Sequence, residues 1–188
     1  MDNNLTIWSV LQPLIYINDF KHLAEISREL ESPHATVRKY LNELEKQGVL
    51  IKNIMGRLTM YKLNYSNPLI SDYLSLSEKS RLVVRCQKDI LMKEIVSFLH
   101  ETFSNKELII FGSAVENTKK ANDIDLIVVG DIQAKDKVKN FEKKFGIKFH
   151  IISIAKLEDI NDALKEEIKK KHLIINNTEI VLRWILRN

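Results

Sequence analysis

Apolar positions fall into two regimes along this chain. Helical spacing dominates the first third, and short apolar runs alternate with helical stretches after it. Residues 5–17 carry Leu5, Trp8, Leu11 and Ile15 near a helical period, and Pro13 is placed to bend or split that segment. Leu23, Ile26 and Leu30 predict a short helix over 22–30. Ser32-Pro33 signals another helix start, with Ser32 as cap and Pro33 at the first position. Over 33–47, Val37, Tyr40, Leu41 and Leu44 share one face, and Gly48 ends the helix. Two strands follow, 49–52 and 59–63, joined near Met55-Gly56-Arg57. The polar, proline-containing stretch 64–68 is the natural boundary.

Beyond that boundary, Leu82, Cys86, Ile90, Ile95, Phe98 and Leu99 predict one long helix over 77–102. Strands are expected at 108–111, from Ile124 to Val129 and at 147–154, with a short edge strand at 173–175. Helices are expected at 133–145 (Val138, Phe141 and Phe145 inward, Gly146 as stop), 156–171 and 179–186. The pattern is α+β, divided as 1–66, a helical linker 67–104, and 105–188.

Composition narrows the class. With 188 residues, 45% hydrophobic and 29% charged, the chain is an ordinary globular protein of one medium or two small domains. No apolar run approaches the roughly 18 residues that span a bilayer, and Met1-Asp2-Asn3-Asn4 lacks the basic start of a secretory signal. The lone Cys86 excludes an internal disulfide or a cysteine metal cluster and is expected to be buried rather than reactive. These features predict a cytoplasmic protein. The net charge of +4 is mild, but residues 33–65 hold six cations against two anions.

The stretch from Leu108 to Gly130 carries the chemistry. An apolar run ends at Gly112-Ser113, a polar interval follows, and a second run opens with Asp123-Ile124-Asp125. Alternate residues of a strand share a face, so the two carboxylates point the same way from positions roughly 7 Å apart along the chain. Paired hard oxygen donors suit a divalent cation, Mg²⁺ above all. Gly112 permits close backbone approach, and Ser113 offers a hydroxyl to a phosphate.

Gly-Ser, a spacer, then Asp-x-Asp entering an apolar strand resembles the nucleotidyltransferase superfamily of DNA polymerase beta, in its minimal branch. The resemblance implies a small mixed sheet flanked by helices and an NTP held by Gly112 and Ser113. It also implies Mg²⁺ or Mn²⁺ on Asp123 and Asp125, and transfer of a nucleoside monophosphate to a hydroxyl. The segment 22–64 resembles the winged helix-turn-helix family in its helix order, its Leu-x-x-Leu-x-x-x-Gly ending and its Gly-Arg hairpin. That resemblance implies double-stranded DNA contacted by His34, Thr36, Arg38, Lys39 and Asn42 on the third helix and by Lys52 and Arg57 on the wing. A module used only for docking or dimerisation is the alternative.

Two departures stand out. The nucleotidyltransferase family places a third carboxylate on the strand expected at 147–154, where this chain has none and His150 takes the position. His150 is either a base or ligand of the site or a strand histidine with no metal nearby; Glu158 and Asp159 follow at an expected helix start, where capping explains them. The arginine that often follows Gly-Ser is also missing, leaving Lys119 and Lys120 as phosphate contacts or solvated cations. The resemblances together imply a homodimeric antitoxin or autoregulator with a helical toxin-like partner. The alternative is a nucleotide-sensing regulator without catalysis.

Overall fold

A computed structural model describes residues 5–17 and 19–187; Met1–Asn4, the stretch that lacks a basic secretory start, lies outside them. The chain divides into two compact units, Met1–Ser80 and Arg81–Asn188.

In the N-terminal unit the first predicted helix is split. Ser9–Leu11 forms a 3₁₀ turn and α1 covers only Gln12–Ile15, with Pro13 in its first turn, where a missing N–H leaves no helical bond unmade. Helix α2 (Leu23–Glu29) starts after His22, whose N–H donates to Glu25 Oε2 at 3.2 Å. Ser32 does not cap the next helix: its hydroxyl turns back to the Leu30 carbonyl at 2.8 Å, and α3 (His34–Lys46) starts from Pro33. Val37, Leu41 and Leu44 are fully buried on one face of α3. Strands β2 (Leu50–Met55) and β3 (Leu58–Leu63) form the expected hairpin. An unforeseen two-residue strand, β1 (Lys21–His22), pairs antiparallel with β3 and gives the order β1-β3-β2.

The long helix expected over 77–102 is two helices, α4 (Ile70–Lys88) and α5 (Ile90–Thr102). Asp89 interrupts them in extended backbone (φ −140°, ψ 106°), and its carboxylate accepts the Met92 N–H as an N-cap. Local capping outweighs an apolar period that runs straight through the break.

The C-terminal sheet has the order β6-β5-β4-β7, built from β4 (Leu108–Phe111), β5 (Ile124–Val129), β6 (Phe149–Ile154) and β7 (His172–Asn176). Antiparallel pairing joins β4 to β5 and to β7, and β5 runs parallel to β6, so the sheet is mixed as expected. Alternation along β5 decides what faces the core. Ile124, Leu126 and Val128 pack with Leu108, Ile110 and Leu173 beside Met92, Ile95 and Leu99 of α5, while Asp125 falls in the other set. Helix α6 (Lys135–Phe145) covers that core through Val138 and through Phe141, which stacks on Phe98 at 4.1 Å; Gly146 ends it at φ +65°.

The helix expected at 156–171 is a 3₁₀ turn, Leu157–Asp159, followed by α7 (Asp162–Lys170) capped by Asn161, which accepts the Leu164 N–H at 2.9 Å. Asp159 accepts the Lys156 N–H at 3.1 Å, so this carboxylate caps, as expected. Strand β7 lies at the sheet edge, but all five of its residues are buried, and α8 (Thr178–Leu186) follows it. Among the described residues, no helix is long and apolar enough to cross a membrane.

Candidate functional site

The site grows out of the ends of β4 and β5. Phe111 is paired with Asp125 in the antiparallel register, so the residue after Phe111 lies beside the carboxylate. That residue is Gly112, at φ +74°, and a Cβ there would stand 2.8 Å from Asp125 Oδ2. Backbone conformation and space both demand glycine. The chain then turns through a 3₁₀ segment, Gly112–Val115, which buries Ala114 and Val115 and leaves Ser113 exposed. Asp123 lies one residue before β5, partly exposed.

The parallel register of β5 and β6 sets Asp125 opposite His150. His150 Nδ1 is 3.0 Å from Asp125 Oδ1, and the imidazole is 63% exposed. An ionised carboxylate can only accept, so in the neutral ring the proton sits on Nδ1 and Nε2 is left as an acceptor. This arrangement holds the exposed ring by its Nδ1 side. Lys119 and Lys120 are both exposed on the turn after Asn117, whose side-chain oxygen accepts their backbone N–H groups at 3.0 and 3.3 Å.

Among the described residues, no group of three or more His, Cys, Asp or Glu side chains is arranged to hold a metal ion. Asp125 commits Oδ1 to His150 and keeps Oδ2 in the notch that Gly112 leaves open. Such a donor set fits a cation that takes one or two carboxylates from the protein and its other ligands from phosphates and water, which is the habit of Mg²⁺.

Sequence reasoning missed what holds this loop. Arg85, near the end of α4, donates from Nε to the Val115 carbonyl at 2.6 Å and from Nη2 to Thr118 Oγ1 at 3.0 Å and the Ala114 carbonyl at 3.3 Å. Nη2 also reaches Asp89 Oδ2 at 2.9 Å, and the buried Thr118 hydroxyl donates to the same carboxylate. Burial alone would push the Asp89 carboxyl up; hydrogen bonds from Thr118, Met92 and Arg85, with the Arg85 charge, overcome it and hold it at about 2. The available signal was Asp89 standing before Ile90-Leu91-Met92, a cap pattern. Half-buried Cys86 has its thiol pushed up by burial, in line with a structural rather than reactive role.

In the N-terminal unit, α3 and the hairpin present a second candidate surface. His34, Arg38 and Lys39 are exposed, Thr36 is half-buried, and Arg57 is exposed beside Gly56 at the hairpin turn. Asn42 differs from its expected outward position. It is half-buried, and its side-chain oxygen accepts from Lys52 Nζ and the Tyr61 hydroxyl, each at 2.9 Å. Asn42 and Lys52 therefore tie α3 to β2.

The chain resembles heat-inducible transcription repressor HrcA of Phytoplasma mali (strain AT), at 30% identity over 176 residues. The match covers 80% of this chain and spans only half the length of that relative. Among solved structures, TrmBL2, an archaeal chromatin protein described as showing a novel mode of DNA binding, matches with a TM-score of 0.30 and 14% identity over 81% of this chain and 64% of its own. Residues 92–183, which contain the Gly112–Asp125–His150 constellation, match the family model of the nucleotidyltransferase domain.

Proposed function

We propose that the C-terminal unit binds a nucleoside triphosphate with a divalent cation and transfers its nucleoside monophosphate to a hydroxyl acceptor, and that the N-terminal unit is a winged helix that binds duplex DNA. The observation that carries the first part is the notch at Gly112, with Asp125 Oδ2 beside it and His150 on Oδ1. Asp123 and Asp125 would hold Mg²⁺ or Mn²⁺, which when bound offsets the charge of the triphosphate. Gly112, Ser113, Lys119 and Lys120 would receive the phosphates. His150 Nε2 takes the acceptor's proton as its oxygen bonds to the α-phosphorus, the α–β phosphoanhydride bond breaks, and pyrophosphate leaves. The DNA part rests on the exposed His34, Arg38 and Lys39, the half-buried Thr36 and the hairpin's Arg57, with Asn42 and Lys52 bracing the helix against the hairpin.

A second reading has its own support. The third carboxylate expected beside Asp125 is His150, and no three-ligand cluster forms among the described residues. This favours a DNA-binding regulator that senses nucleotide without turning it over. The resemblance to the heat-inducible transcription repressor HrcA fits either reading. Both allow homodimerisation, autoregulation and a toxin-like helical partner; under the transfer reading the acceptor hydroxyl would belong to that partner.

Pyrophosphate release from labelled NTPs, with Mg²⁺ and with Mn²⁺, separates the two. Transfer chemistry predicts release that His150→Ala reduces and that His150→Asp supports with Mg²⁺. Nucleotide-dependent stabilisation without release by any of the three proteins establishes the sensor instead. Stabilisation that survives Asp123→Asn with Asp125→Asn overturns the site.

A further inference from the structure

We infer that Arg85 is a positioning residue for nucleotide binding: from α4 it fixes the loop Gly112–Thr118 that the triphosphate would contact. The inference rests on the nucleotide reading above and names what keeps that site in shape. The loop's inward polar atoms converge on one guanidinium, that of a side chain only 13% exposed. It bridges the carbonyls of two consecutive residues, Ala114 and Val115, and the Thr118 hydroxyl three residues on. Asp89 closes the arrangement by accepting from both Arg85 and Thr118. The same carboxylate caps α5 through the Met92 N–H, so loop and helix start share one anchor.

With its inner face satisfied, the turn offers its other side: Ser113 is exposed, and Gly112 lies against Asp125. The loop is thereby ordered before a ligand arrives, and the ligand need not spend binding energy ordering it. The missing arginine after Gly-Ser thus has a counterpart elsewhere in the chain. Its task is different, because Arg85 is directed to backbone carbonyls and a carboxylate rather than to the outer side of the loop. A lysine in its place would present one compact ammonium, which cannot span these acceptors as the planar fork does.

The test uses the full chain with Arg85→Lys and Arg85→Ala, and the probes are ATP and GTP with Mg²⁺. Two quantities are read: nucleotide affinity by calorimetry, and amide hydrogen exchange in residues 113–118 against β4 and β5. Both variants should keep the protection of β4 and β5, lose protection in 113–118, and bind nucleotide about tenfold or more weakly, the scale expected when a ligand must order a short loop. Millimolar guanidinium should recover part of the affinity of Arg85→Ala and none of that of Arg85→Lys, whose ammonium fills the space. If the wild type binds and Arg85→Lys binds equally well, the inference falls while the nucleotide reading stands. If the wild type binds neither nucleotide, the nucleotide reading falls and takes the inference with it.

Discussion

In the β2–β3 hairpin, Ile51, Ile54, Met55 and Leu58 are exposed, and nothing lies within 4 Å of where a Cβ would stand on the turn glycine, Gly56. In β4 every residue is buried, and the glycine that follows it has a carboxylate oxygen 2.8 Å from the same point. Both glycines adopt positive φ, +61° and +74°. The hairpin presents Arg57 on an exposed turn, where a long side chain can find a phosphate by itself. The C-terminal sheet holds the Asp125 carboxylate at a fixed separation from Gly112, and it does so by burying β4 and most of β5. Precision is thus placed where the proposed chemistry needs it.

The glycine pair offers the sharpest way to break that comparison. Gly56→Ala meets only backbone strain and should cost about 1–2 kcal/mol. Gly112→Ala meets the same strain and the Asp125 carboxylate as well, so about 3 kcal/mol is expected, and the nucleotide-dependent rise in melting temperature should vanish. Denaturant unfolding of both variants is the measurement. Equal losses would mean that the notch at Gly112 closes without consequence and that the contrast is false.

Acid probes the loop anchor next. The Asp89 carboxyl, held at about 2 against an ordinary 3.8, releases its proton more readily folded than unfolded. Its stabilisation, about 2 kcal/mol by linkage, is therefore fully present above about pH 4 and disappears as pH falls to about 2. Asp89→Asn should be less stable than the wild type near neutrality, and the gap should close across that window. A gap that stays constant down to pH 2 would separate the anchor from its charge.

The smallest effect on stability belongs to the hairpin. Arg38→Ala and Arg57→Ala should each alter stability by no more than about 0.5 kcal/mol. Each should weaken duplex binding and lower the salt slope by about 1, with the Arg57 change nearly uniform across sequences. Fluorescence anisotropy at low and moderate salt reads this directly. Absence of duplex binding at low salt would make the N-terminal unit a docking or dimerisation module.

Much of this was legible in the sequence because it is local. The Gly-Ser turn, the Asp-x-Asp strand start, the α3 stripe of Val37, Leu41 and Leu44, and the Gly146 stop are each set by residues within a few positions of one another. Burial periodicity and backbone conformation act over that range, and they place β4, β5, α3 and α6 within a few residues of their observed limits. The nucleotidyltransferase resemblance also implied His150 at a position beside the Asp pair, and the parallel register sets it opposite Asp125.

What only the tertiary structure decided involves partners distant in sequence. The anchoring of the Gly112–Thr118 loop at Asp89 required Thr118, 29 residues away, to reach the carboxylate that already caps α5. The inward turn of Asn42 required Lys52 and Tyr61 from the hairpin. Strand β1 required an edge of β3 to pair with, which no feature of Lys21-His22 announces. A buried polar atom must find a partner wherever the fold brings one. That demand moved each of these groups away from the place its own stretch of sequence suggested.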